Sequence, residues 1–199
     1  MKLLSGLLAL EVEPVEVWIV TKRRAEVSGM THHEGHYNPV TERVWLTVDL
    51  TLSDPVADCT PSLRHEVTHA VTHRALGFGP LTSPWFSEGF ARWCELGVRD
   101  GQVVGARWRR LRKPHDGRQA IEELLAWSYV QTYDRTTERR LYNLAEQFMT
   151  YLVGFPAPPP GPAFVEHMQA IARLDEEELL AHAARFGEWL AADPTRAGK

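Results

Sequence analysis

Two histidines four residues apart, with a glutamate directly after the first, form the clearest chemical pattern in this 199-residue chain. They are His65, Glu66 and His69, in the segment HEVTH. A helix turns about 100° per residue, so two imidazoles at this spacing lie one turn apart on one face and can reach the same metal ion. Glu66 would lie beside that face, where a carboxylate can accept a proton from water on the metal. The pattern predicts a helix that binds zinc and carries a general base.

The third metal ligand is the residue on which this interpretation depends. Glu88 follows His69 after eighteen intervening residues, in the segment WFSEGFA, and two histidines with a glutamate form a catalytic zinc set that leaves one position open for water. His73 is the alternative ligand, but it points about 80° away from His65, which is poorer geometry on one helix. A third histidine six residues after the second is excluded, because position 75 is Ala75.

The joint motif resembles a known family. HEVTH, eighteen residues and then W-x-x-E-G-x-A make residues 60–96 similar to the gluzincin superfamily of zinc metallopeptidases, which includes thermolysin-like endopeptidases and zinc aminopeptidases. The resemblance implies one Zn²⁺ per chain, held by His65, His69 and Glu88, and hydrolysis of peptide bonds by activated water with Glu66 as base. The chain lacks the G-x-M-E-N segment with which the aminopeptidases anchor a free amino terminus. An endopeptidase is therefore favoured over an aminopeptidase.

The resemblance also implies roles for residues outside the motif. The family steadies the oxyanion with a tyrosine or histidine, and we predict Tyr142, on a downstream helix, as this catalytic donor. Glu95 is either a carboxylate that orients a zinc-bound histidine or a solvated helix residue. Residues 35–39 are predicted to be an edge strand to which substrate backbone adds. Three other tyrosines compete with Tyr142 for the donor role: Tyr129, Tyr133 and Tyr151.

Two sequence periods define the elements that must position these residues. Residues 15–21 and 43–50 alternate apolar and polar side chains and are rich in β-branched and aromatic types, which predicts half-buried strands. Thr60-Pro61 then predicts the start of the first helix, which ends near Gly77. The remaining helices are predicted at about residues 85–96, opened by Ser83-Pro84, and at 119–130, 138–153, 163–172 and 176–191.

Strands first and helices thereafter favour the α+β class. We predict a small N-terminal mixed or antiparallel sheet with an edge strand, followed by a mainly helical region like that of the zinc metallopeptidases. We expect one domain over residues 1–199. It would comprise a sheet region at 1–58, catalytic helices at 59–155 and a C-terminal helical part at 156–199.

Composition and charge limit the partners. The net charge of −4 gives no global positive field, so nucleic acid is not an expected partner, although a basic run at residues 107–113 could bind phosphate. No apolar run approaches the ~20 residues of a membrane-spanning helix, and the run at residues 3–10 is too short to indicate a signal peptide. We expect a soluble, cytoplasmic protein that acts on a peptide or protein substrate.

Two other function classes stay open. The chain could hold zinc without cleaving anything, as a protein-binding or regulatory module, although an intact Glu66 argues against this. It could also be a nucleic-acid-associated factor with a structural zinc, against which the overall acidity argues. A histidine cluster, His32, His33 and His36, is interpreted as part of a polar loop.

Overall fold

The fold is α+β, as predicted: a small three-stranded mixed sheet comes first and helices follow. The structure is a computed structural model that describes residues 14–27, 35–76, 83–96, 98–99, 102–103, 116–154 and 162–192. The chain forms two compact units, residues 1–81 and 82–199. The single-domain organisation stays a prediction.

The first unit contains the sheet. Strand β1 (Glu16–Thr21) leads into helix α1 (Lys22–Val27), and strands β2 (Gly35–Asn38) and β3 (Arg43–Val48) follow. The strand order is β1-β3-β2, with β1 parallel and β2 antiparallel to β3. Strand β2 is therefore an edge strand of this sheet, as predicted for this part of the chain.

Helix α2 (Pro55–Leu76) packs on strands β2 and β3 in the first unit. The alternation in β3 buries one of its faces, because Val44, Leu46 and Val48 are almost fully covered. On the helix, Ala70 and Val71 are fully buried in the same way. This apolar contact fixes which face of α2 turns toward the sheet, and so the orientation of the HEVTH segment.

The predicted start of α2 at Thr60 is wrong, since the helix begins five residues earlier, at Pro55. Asp54 provides the cap, because its side chain accepts the Ala57 N–H at 3.0 Å. Asp54-Pro55 gives the same cap signal as Thr60-Pro61, and the Thr60 hydroxyl instead donates to the Val56 carbonyl at 2.6 Å inside the helix.

The second unit is mainly helical. Helix α3 (Pro84–Leu96) starts after Ser83 as predicted, and the short strands β4 (Val98–Arg99) and β5 (Gln102–Val103) pair with each other. The core is aromatic and includes Phe86, Phe90, Phe148, Phe164 and Phe186, all with at most 1% of their surface exposed. The remaining helices are α4 (Gly117–Leu125), α5 (Arg135–Val153), α6 (Pro162–Ala172), α7 (Glu176–Ala181) and α8 (Ala183–Ala191).

Two predicted helices have the wrong extent. The helix predicted at 119–130 ends at Leu125, because the Ser128 side chain accepts the Val130 N–H and a turn replaces the last helical turn. The helix predicted at 176–191 is divided at His182, whose N–H bonds the Leu179 carbonyl three residues back. Within the part of the chain that the structure describes, no helix is long and apolar enough to cross a membrane.

Candidate metal centre

His65 and His69 lie one turn apart on α2, and their Nε2 atoms are 3.1 Å apart. Two nitrogens bound to one tetrahedral zinc at about 2.0–2.1 Å would be separated by roughly 3.3 Å. The observed distance is therefore close to the separation that two ligands of one ion require. The ring planes meet at 81°, so both nitrogens approach a common point without the rings stacking.

Glu66 is buried beside this pair, with 9% of its surface exposed. It lies against strand β2 where that strand has no side chain. A Cβ atom added at Gly35 would lie 2.7 Å from the Glu66 Cγ and 3.1 Å from its Oε1. A glycine at this position therefore leaves the space that the Glu66 side chain occupies.

Glu88 lies on α3 and is also buried, with 6% of its surface exposed. Its Oε1 accepts a hydrogen bond from the Tyr129 hydroxyl at 2.8 Å. The next residue, Gly89, faces α5 at very short range, because a Cβ there would lie 2.7 Å from the Ala145 carbonyl oxygen. The glycine of the WFSEGFA segment is thus required where α3 and α5 come together.

The first unit supplies the two imidazoles, and the second unit supplies the buried Glu88 carboxylate. Two imidazoles and one carboxylate are a donor set that suits zinc and leaves room for a further ligand. The chemistry of the three residues predicted as metal ligands therefore fits the ion, and their joint role stays a prediction.

Tyr129 lies in the turn after α4, and sequence reasoning named it only as one of several competing tyrosines. Desolvation raises the pKa of its phenol, and the neighbouring Glu88 carboxylate raises it further, since an anion beside it disfavours a phenolate. The hydroxyl therefore stays protonated and donates to Glu88 across the neutral pH range. No local sequence signal indicates this contact, because it joins residues 41 positions apart.

Tyr142, the predicted oxyanion donor, lies on α5 with its ring 5.1 Å from that of Trp127, in an edge-on arrangement. Its role stays a prediction. The two other competitors have hydroxyl partners elsewhere: Tyr133 accepts the Ser128 N–H at 3.2 Å, and Tyr151 meets His182 Nδ1 at 3.1 Å.

Glu95 forms a two-point contact with Arg92, whose Nη1 lies 3.0 and 2.9 Å from the two carboxylate oxygens. The same guanidinium lies 3.6 Å from the buried carboxylate of Glu146 on α5. Arg92 thus pairs with two carboxylates, one on its own helix α3 and one on α5. The predicted contact of Glu95 with a zinc-bound histidine stays a prediction.

His73, the alternative ligand, bonds a different partner. Its Nδ1 lies 2.8 Å from the Tyr37 hydroxyl, which links α2 to the edge strand β2. His36 is exposed on that strand. The other two histidines of its cluster, His32 and His33, and the basic run at residues 107–113 lie outside the described residues.

Comparison with known proteins identifies no relative. No family model matches the chain, and no curated protein or solved structure matches it either.

Proposed function

We propose that this chain is a zinc-dependent peptidase of the gluzincin type, in which His65, His69 and Glu88 hold the metal and Glu66 is the general base. The observation that carries the proposal is the pair of imidazole nitrogens 3.1 Å apart on the HEVTH helix, beside the buried Glu66. That separation is close to the one that two nitrogens on a tetrahedral zinc require, and Glu88 is the third ligand that the motif predicts.

Bound zinc would supply Lewis acidity, which makes water nucleophilic near neutral pH and polarises a carbonyl group. Glu66 takes the proton of the attacking water and passes it to the amine that leaves. The carboxylate suits this task because it is buried and because Gly35, which has no side chain, leaves room for it. In this scheme Tyr142 donates a hydrogen bond to the oxyanion.

The substrate part of the proposal rests on the edge strand. Strand β2 lies at the edge of the sheet and passes directly against Glu66 at Gly35. An extended peptide added to that edge would bring its backbone next to the base. A peptide or protein substrate and a cytoplasmic location belong to this proposal, and an endopeptidase is favoured because the chain has no G-x-M-E-N segment.

Hydrolysis of a quenched-fluorescence peptide library tests the function, with Glu66→Gln as the decisive variant. We expect zinc-dependent cleavage by the wild-type protein and a loss of about 10²- to 10⁴-fold in the variant, because the proton acceptor is gone while the ligands remain. Zinc content is measured in the same samples. Asp58→Asn is the matched control, since it removes a carboxylate from the same helix away from the motif.

The library also separates the alternatives. An endopeptidase cleaves peptides whether or not their amino terminus is acetylated, whereas an aminopeptidase requires a free amino terminus. Equal cleavage of the acetylated and the free peptides therefore supports the endopeptidase. Substantial hydrolysis by Glu66→Gln would reject the assigned base. One zinc per chain without cleavage of any peptide would favour the non-catalytic zinc-binding module.

A further inference from the structure

Tyr129 contacts the buried end of Glu88 from outside the metal motif. Its hydroxyl donates to Glu88 Oε1 at 2.8 Å, and it also hydrogen-bonds the side chain of Ser87, the residue before. The residue as a whole has 55% of its surface accessible, so burial in the apolar core does not account for the position of this side chain. The contact is directed by the hydroxyl group.

The turn that carries Tyr129 is itself fixed by hydrogen bonds. The Gln131 N–H bonds the Ser128 carbonyl at 3.3 Å. The Tyr133 hydroxyl accepts the Ser128 N–H at 3.2 Å and lies 3.0 Å from Gln131 Oε1. Tyr129 therefore projects from an organised turn, and its hydroxyl reaches Glu88 from a defined position.

We propose that Tyr129 is a positioning residue for the metal ligand Glu88: by holding Oε1, its hydroxyl fixes the orientation in which the carboxylate meets the metal. Partners that hydrogen-bond a ligand in this way maintain its orientation, and their loss commonly costs about 10- to 100-fold in metal affinity. This inference rests on the proposed function, because it takes Glu88 as a ligand.

Zinc affinity of the full chain, measured by competition with a chromogenic chelator, tests the inference without any need for a substrate. We expect Tyr129→Phe to bind zinc about 10- to 100-fold more weakly than the wild-type protein. Tyr151→Phe is the matched control, since it removes a hydroxyl in the same unit that bonds His182 instead, and it should keep the wild-type affinity.

A double-variant cycle separates positioning from a general effect on the turn. When Glu88 is replaced by Ala, the Tyr129 hydroxyl has no ligand to orient, so adding Tyr129→Phe should change the remaining zinc affinity by less than about twofold. Thermal unfolding of the metal-free variants, followed by circular dichroism, shows whether the fold is kept.

Three outcomes would overturn the inference. Wild-type zinc affinity in Tyr129→Phe would remove Tyr129 from any role at the metal and would leave the proposed function standing. The same loss with and without Glu88 would assign the effect to the turn. Absence of zinc binding by the wild-type protein would overturn both this inference and the proposed function.

Discussion

The Glu66 side chain occupies the space next to Gly35 that a side chain at position 35 would fill. The space above Gly35 is filled by the Glu66 Cγ and carboxylate, and a β-carbon at position 35 would approach that side chain to 2.7 Å. Real Cβ atoms essentially never come so close to another heavy atom, so one of the two groups would have to move. The Glu66 side chain, a short chain of single bonds, moves more easily than the strand backbone.

Replacing Gly35 with Ala should therefore displace the Glu66 carboxylate without removing any of the three proposed metal ligands. We expect the zinc content to stay at the wild-type level and kcat for peptide hydrolysis to fall by up to about 100-fold, the loss that a misplacement of about 1 Å can cause. Steady-state kinetics and metal analysis of the same preparation measure both. Thr47→Ala, on the neighbouring strand β3, is the control for a general effect on the sheet, and equal losses in both variants would contradict the role of Gly35.

Sequence spacing was sufficient to predict His65, His69 and Glu88 as metal ligands, because helical periodicity is a local rule and the WFSEGFA segment is a recognisable motif. Tyr129 could not be selected in the same way. Its contact with Glu88 depends on the path of the turn after α4, and helix periodicity had placed it inside a helix that ends at Leu125. The sequence likewise indicated Gly35 only as a turn or strand residue and not its contact with Glu66.

At the scale of elements, the α3–α5 contact positions Glu88, the proposed third ligand. Gly89 and Ala145 lie where the two helices come close, and Ala145 is fully buried. The helix backbones can approach to this distance because one residue has no side chain and the other has a single methyl group. The adjacent Glu88 is thereby held in a fixed position relative to α5.

Gly89→Ala should reverse the usual effect of this substitution in a helix. Glycine to alanine normally stabilises a helix by about 0.4–1 kcal/mol, but here the new methyl group would meet the Ala145 carbonyl oxygen at 2.7 Å. We expect the free energy of unfolding to fall by about 1–3 kcal/mol, as in other overpacked sites, and zinc to be bound more weakly. Urea unfolding of the metal-free protein measures the first effect, and an unchanged or increased stability would contradict the close contact.

Element boundaries were harder to predict than element types, for physical reasons. Asp54-Pro55 and Thr60-Pro61 carry equal start signals, and only the Asp54 side chain caps the helix, since Pro61 is accommodated inside it. The break at His182 has no glycine or proline to mark it. There the His182 N–H bonds the Leu179 carbonyl, three residues back, and a new helix, α8, begins. This helix packs on α4 within the second unit.

At the scale of the whole molecule, the α+β order of elements followed from the change in sequence period, which reflects the different repeats of strands and helices. The parallel pairing of β1 with β3 did not, because a strand's period does not give its direction. The net charge of −4 gives the molecule no global positive field that would attract nucleic acid.

The most direct test of the central claim is the zinc content of the purified chain, compared with that of a His65→Ala/His69→Ala variant. We predict about one zinc per wild-type chain and none in the variant, because the two imidazoles supply two of the three protein ligands. Thermal unfolding of both proteins establishes that the comparison is between folded chains. An equal zinc content in the two proteins, or no zinc in the wild-type chain after incubation with the ion, would contradict the proposed metal centre.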